Sequence, residues 1–116
     1  MPEIKIISSP IPLSELKTIA ENQFKYMVKA VVNIESGEMS IGGELHSDEE
    51  KVMIENGSPQ ENLWGINIYP EQTGEDRVEF DSMINLRPYA GNNTRGVENI
   101  EIQKRIIEII NKLIID

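Results

Sequence analysis

Cysteine is absent from the chain of 116 residues. Disulfides, thiolate catalysis and Cys-based zinc or iron–sulfur sites are therefore excluded. The N-terminus shows no basic region followed by an apolar run, so the expectation is a cytoplasmic protein without a signal peptide. No stretch of about 18 apolar residues occurs, and no membrane span is expected. Aromatics are few, with one Trp, three Tyr and two Phe, so aliphatic side chains, isoleucine above all, must fill the core. Histidine occurs once, at His46. Positive charge is also short: 11 Lys and Arg stand against 20 Asp and Glu, for a net charge of −9. A polyanion would be repelled at long range, which disfavours nucleic acid as a partner. The acidity itself serves solubility.

What is present fits one domain spanning residues 1–116. Ile4, Ile6 and Ile7 read as a short strand. Pro10 and Pro12 interrupt it, and Leu13, Leu16, Ile19, Ala20 and Phe24 recur at helical spacing over about 12–24. Met27 to Ile34 and Met39 to Leu45, separated by Ser36-Gly37, read as a hairpin. Ser47-Asp48-Glu49-Glu50 has the form of a capping box opening a short helix that Gly57 and Pro59 end. Leu63 to Tyr69 and Arg77 to Leu86 read as a second hairpin. A C-terminal helix from about Asn99 carries Ile102, Ile106, Ile109, Ile110 and Leu113 on one stripe. The order β-α-β-β-α-β-β-α predicts an α+β domain: an antiparallel sheet built from two hairpins, with three helices packed mainly on one face.

Strand alternation sorts the sheet into two faces. Val28, Ala30, Val32, Ile34, Met39, Ile41, Gly43, Leu45, Trp64, Ile66, Ile68, Val78, Phe80, Ile84 and Leu86, with Ser82 the one polar exception, form an apolar face that should meet the helices. The other face is mixed: Lys29, Val31, Glu44, His46, Asn67, Glu79, Asp81, Met83, Asn85 and Arg87. Three readings of it stay open. It is a solvated face, a subunit interface in which Met27, Val31 and Met83 add apolar area and Gly42 and Gly65 permit close approach, or a ligand site. For the last, Glu44, His46, Asp81, Asn85, Arg87 and Arg95 are the candidate binding residues, because they supply donors, acceptors and one titratable imidazole.

Glu44, His46 and Asp48 alternate, as ligands on an extended strand would, and Asp81 or Glu79 could complete an oxygen-rich site for a divalent cation. His46 could equally act as a general base oriented by Glu44 or Asp81, or pack locally beside the capped helix. The loop Gly91–Gly96 precedes a helix, and Arg87 and Arg95 flank it. They are the candidates for holding a small anion, a carboxylate or a phosphate. Gly42-Gly43 matches no phosphate-loop pattern and fits a bulge or close packing.

The runs Lys29–Glu35, Gly42–Glu50, Leu63–Pro70, Glu79–Pro88 and Arg95–Glu98 together resemble a family of small prokaryotic proteins known as a domain of unknown function. That resemblance implies a bacterial or archaeal cytoplasmic protein and carries no activity, cofactor or site residue with it. The expectation for function is a small ligand- or protein-binding domain using the mixed face, as a homodimer. The alternative is a metal-assisted hydrolase or related enzyme centred on Glu44, His46 and Asp81.

Overall fold

The computed structural model describes residues 3–116. Three short β-rich runs near the N-terminus give β1 (Lys5–Ile7), β3 (Val28–Asn33) and β4 (Met39–Ile41), with β2 (Ile11–Pro12) and helix α1 (Leu13–Asn22) between the first two. Asn33 closes the β3–β4 hairpin. Its Oδ1 accepts the N–H groups of Glu35 and Ser36 at 2.9 and 3.0 Å, and Gly37 takes the positive φ of 79° that the turn requires. Helix α2 (His46–Glu55), strands β5 (Leu63–Ile68) and β6 (Val78–Glu79), helix α3 (Ile100–Leu113) and strand β7 (Ile114–Ile115) complete the chain.

The five-stranded sheet has the order β1-β4-β3-β5-β6, and every neighbouring pair is antiparallel. The α+β class and its antiparallel sheet are as the sequence predicts. The first strand, whose place alternation could not give, pairs with β4 at the sheet edge. A feature without any sequence signal is the parallel pair β2–β7, which brackets α1 and α3 by joining the start of one to the end of the other.

Most of the apolar face is where alternation puts it, but β4 ends at Ile41 instead of Leu45, and Leu45, carried out of the strand ahead of α2, is exposed. Val28, Ala30, Val32, Met39, Ile41, Trp64, Ile66 and Ile68 form one cluster with Leu16 and Ala20 of α1 and with Ile106, Ile109, Ile110 and Leu113 of α3. These side chains are removed from water almost completely. At about 25 cal/mol per Å² of apolar area, this cluster supplies most of the drive to fold. Helix α2 lies on the opposite face. There Met53 packs with Val31 and Leu63, with Ile6 and Ile84 beside them. A mixed face with one deep apolar residue, Val31, thus has a helix of its own to cover it.

Three local expectations change. The capping box does not form: α2 begins at His46, its N-cap is Leu45, and no side chain caps it. The first turn is anchored instead by Glu49, which turns inward and accepts the Gly43 N–H. The return strand of the second hairpin is only Val78–Glu79, not Arg77 to Leu86. Beyond it the chain leaves the ladder, alternation lapses, and Ile84 joins the α2 side while Leu86 is exposed. Finally, the close approaches at Gly42 and Gly65 are made within the chain. A Cβ on Gly42, which has φ +98°, would overlap the Glu3 carbonyl, and one on Gly65 would stand 2.7 Å from Ser82.

Candidate functional site

The six candidate residues divide by where the backbone carries them. Asn85 sits in a single 3-10 turn (Met83–Asn85) that crosses beside β5 where β6 has ended. Its amide acts as a one-residue strand. Oδ1 accepts the Gly65 N–H at 2.8 Å, while Nδ2 donates to the carbonyls of Gly65 and Arg95, both at 2.9 Å. A central strand would otherwise bury both Gly65 groups unpaired. Asn92 plays the same part for the following loop: its Nδ2 donates to Asn85 O at 2.7 Å and Gly96 O at 2.8 Å, and its Oδ1 accepts the Glu98 N–H at 2.9 Å.

Arg87 is 3% exposed. Its guanidinium stacks on Trp64, with Cζ 4.6 Å from the ring centroid, and donates to the carbonyls of Ile84 and Leu63. Glu50 Oε2 stands 3.9 Å from Nη2, an ion pair too long for a hydrogen bond. Burial lowers the pKa of this guanidinium, and Glu50 opposes that shift. Arg87 is therefore committed inside the protein. Arg95 lies at the surface, where Nε meets Asp81 Oδ1 at 2.8 Å with both side chains about half exposed (56% and 44%). The two arginines do not converge on the Gly91–Gly96 loop.

His46 opens α2 with its ring turned down onto the sheet. Nε2 lies 2.7 Å from the Ile66 carbonyl, so it carries the hydrogen. Burial is the main cause of a lowered pKa, reinforced by Lys29 and Arg95 and opposed by the Ile66 bond and Asp81. The ring is neutral at pH 7, with Nδ1 left as an acceptor. Glu44, two residues earlier, is exposed and joins a different part of the surface. Because the helix starts at His46, the extended alternation that would align Glu44, His46 and Asp48 is lost. Among the described residues no group of three or more His, Asp or Glu could hold a metal ion. Asp81 is engaged by Arg95 rather than orienting His46.

Sequence reasoning missed Glu49. It is fully buried beneath α2, with Oε2 accepting the Gly43 N–H at 3.0 Å and Oε1 without a partner. Burial raises its pKa to about 9, against the Gly43 bond and Lys29, so it is a neutral carboxylic acid at pH 7. A signal existed: His46, Glu49 and Met53 recur at helical spacing, which puts Glu49 on the inward stripe of α2.

A hollow of about 460 Å³ lies where the end of α1 faces the edge pair β1–β4. Lys5 and its strand partner Ile41 line it together with Ile19 of α1, Glu3, Glu44 and Gln23. Gln23 has a fixed amide. Nε2 donates to the Gly42 carbonyl at 2.7 Å, which settles its orientation and leaves Oε1 shielded from solvent without a donor. The α1 C-terminus carries no basic residue in its last turn, so its negative dipole end is uncompensated. No ion pair joins Glu3, Lys5 and Glu44 among the described residues.

Such a molecule is a small α+β fold that spends many of its unusual polar side chains on its own backbone and leaves a polar cleft at a sheet edge. The chain belongs to the family described as a protein of unknown function (DUF5674), which matches residues 5–113. Among curated proteins and solved structures, none matches the chain. No helix of the described residues is long and apolar enough to cross a membrane.

Proposed function

We propose that this protein is a small-molecule-binding domain of the cytoplasm and that its site is the cleft between the end of α1 and the β1–β4 edge. The observation that carries the reading is Gln23. Its amide orientation is fixed by Gly42, and its Oε1 is a shielded acceptor with no donor. An unpaired buried acceptor costs about 1–3 kcal/mol; Oε1 is closed to solvent, so a ligand donor recovers that cost by drawing the Gln23 side chain toward the cleft as it binds. The volume of about 460 Å³ suits a small ligand. Glu44, a candidate from the sequence, belongs to this cleft rather than to the His46 cluster.

Asn22 also lines the cleft and is exposed, so Asn22→Trp should fill it without touching the core. Thermal unfolding against a panel of small polar metabolites tests the idea. Compounds that raise the midpoint of the parent protein should lose that effect in Asn22→Trp while its own unfolding stays cooperative. Equal stabilisation of both proteins by every active compound would place binding elsewhere.

A second reading is favoured by Met83, Leu86 and Tyr89, which are 63%, 42% and 84% exposed; Met83 and Tyr89 lie on two successive 3-10 turns (Met83–Asn85 and Pro88–Ala90) and Leu86 between them. This ridge is the part of the expected homodimer surface that α2 leaves open.

A further inference from the structure

We infer that helix α2 is a proton-coupled cover, which lifts locally from the second face of the sheet as pH rises and exposes the apolar patch beneath it. The cover is a property separate from the cleft.

The buried side chains of α2 are His46, Glu49 and Met53, so two of the three can take a charge. Helix α3, by contrast, buries Ile106, Ile109, Ile110 and Leu113. The apolar contact under α2 is correspondingly small: Met53 meets Val31 and Leu63, with Ile6 and Ile84 partly buried beside them. Polar groups make the rest of the attachment. His46 Nε2 donates to the Ile66 carbonyl, Ser40 Oγ donates to the Glu49 carbonyl at 3.3 Å, and Glu49 Oε2 accepts the Gly43 N–H. Gly43 makes room for that carboxyl, since a Cβ there would stand 2.8 Å from Glu49 Cγ. A helix of ten residues held by so few contacts opens more readily than the sheet and α3. Once lifted, it is too short to stay helical alone.

Docking requires a protonated Glu49. Its Oε1 is buried without a partner, and no cation pairs with it within 4.0 Å among the described residues. An ionised carboxylate there would give up its water for a single N–H. Burial therefore raises its pKa to about 9, against the Gly43 bond and Lys29 of β3, with Asp48 adding to the rise. In the lifted helix the carboxyl ionises near its ordinary 4.5. Between these values each unit of pH favours the lifted state about tenfold. Glu50, beside Arg87, is shifted by burial in the same direction. His46 opposes both carboxyls. Burial, Lys29 and Arg95 lower its pKa against the Ile66 bond and Asp81, so acid weakens docking below about pH 6.5. Above that pH the carboxyls act unopposed.

Native-state hydrogen exchange of the full chain tests the cover, read by NMR from pH 6.5 to 8.5 and corrected for the intrinsic exchange rate. The α2 amides should be protected about tenfold less, or weaker still, than those of β3, β5 and α3. Their protection should fall about tenfold per pH unit. Glu49→Gln should flatten this fall, whereas Met53→Ala should lower α2 protection at every pH and keep the slope. A carbon-13 titration of the Glu49 carboxyl in the unaltered protein needs no variant and should find a midpoint well above 4.5. An α2 protected as strongly as α3 would open only with the whole molecule, and that result overturns a local cover. Protection independent of pH, a Glu49→Gln protein that keeps the slope, or a Glu49 carboxyl titrating near 4.5 overturns its coupling to the proton.

Discussion

Replacing Glu49 with glutamine should make the protein more stable at neutral and alkaline pH, and by an amount that grows with pH. Glu49 is fully buried, and its pKa rises from 4.5 to about 9 on folding. In the unfolded chain the carboxyl ionises above about pH 4.5, whereas the folded protein keeps it protonated. Between those values the folded state binds the extra proton, so stability falls as pH rises. The group's full contribution is present below pH 4.5 and is lost as pH climbs through about 9. Each unit of pH costs about 1.4 kcal/mol. The accumulated cost is therefore about 3 kcal/mol at pH 7 and about 6 kcal/mol near pH 9. Glutamine can still accept the Gly43 N–H, and its amide nitrogen takes the place of an oxygen that already has no partner. Urea unfolding of both proteins at pH 5, 7 and 9 isolates this one group, because the other titrations cancel in the difference. The expected pattern is near-equal stability at pH 5 and a widening advantage for Glu49→Gln above it. A difference that stays flat across this range would refute a neutral Glu49. So would a Glu49→Gln protein less stable at every pH, which would mean an ionised carboxylate balanced by Lys29.

Asn85→Ala removes the partners of both Gly65 backbone groups and one bond to Arg95 O; a loss of about 2–4 kcal/mol is expected by urea unfolding, and a change below 0.5 kcal/mol would show that β5 does not depend on that amide. For the exposed ridge, sedimentation equilibrium should find a dimer that Met83→Glu dissociates, since a charge at a 63%-exposed methionine costs the free monomer little; a monomeric parent, or a dimer indifferent to the change, removes the ridge as an interface.

The fold was legible wherever a period repeats. The α3 stripe from Ile102 to Leu113 is nearly complete burial at helical spacing, and Val28, Ala30 and Val32 alternate as a half-buried strand should. Legibility ended where one side chain substitutes for backbone. Nothing in the run from Glu79 to Leu86 announces that the ladder stops after Glu79, because Phe80, Ile84 and Leu86 continue the strand composition. The stop depends on Asn85 reaching Gly65, 20 positions earlier in sequence. The placement of α2 on the second face likewise follows from long-range contacts, Met53 on Val31 and Leu63 and His46 on Ile66, which no local pattern encodes.

The candidate residues were misplaced for a related reason. Polar side chains on a strand-like run resemble a site, but in a small domain with short strands the same residues are needed to pair the sheet's loose ends. Asn85, Arg87 and His46 each contact the backbone of β5, at Gly65, Leu63 and Ile66. Asn85 and Arg87 replace part of the edge that β6 leaves unpaired beyond Glu79, and His46 pins α2 to the sheet. A buried donor with a carbonyl partner is already satisfied and has little left to offer a ligand. Residues that do have something left are those whose hydrogen bonding is incomplete once the backbone is served. Gln23, with one amide group fixed and the other unanswered, is such a residue. It sits at a helix end where a glutamine in sequence looks like solvated surface. The distinction between a polar residue that completes the fold and one the fold leaves incomplete is thus carried by the partner of each atom, and it directs attention from the histidine to the cleft.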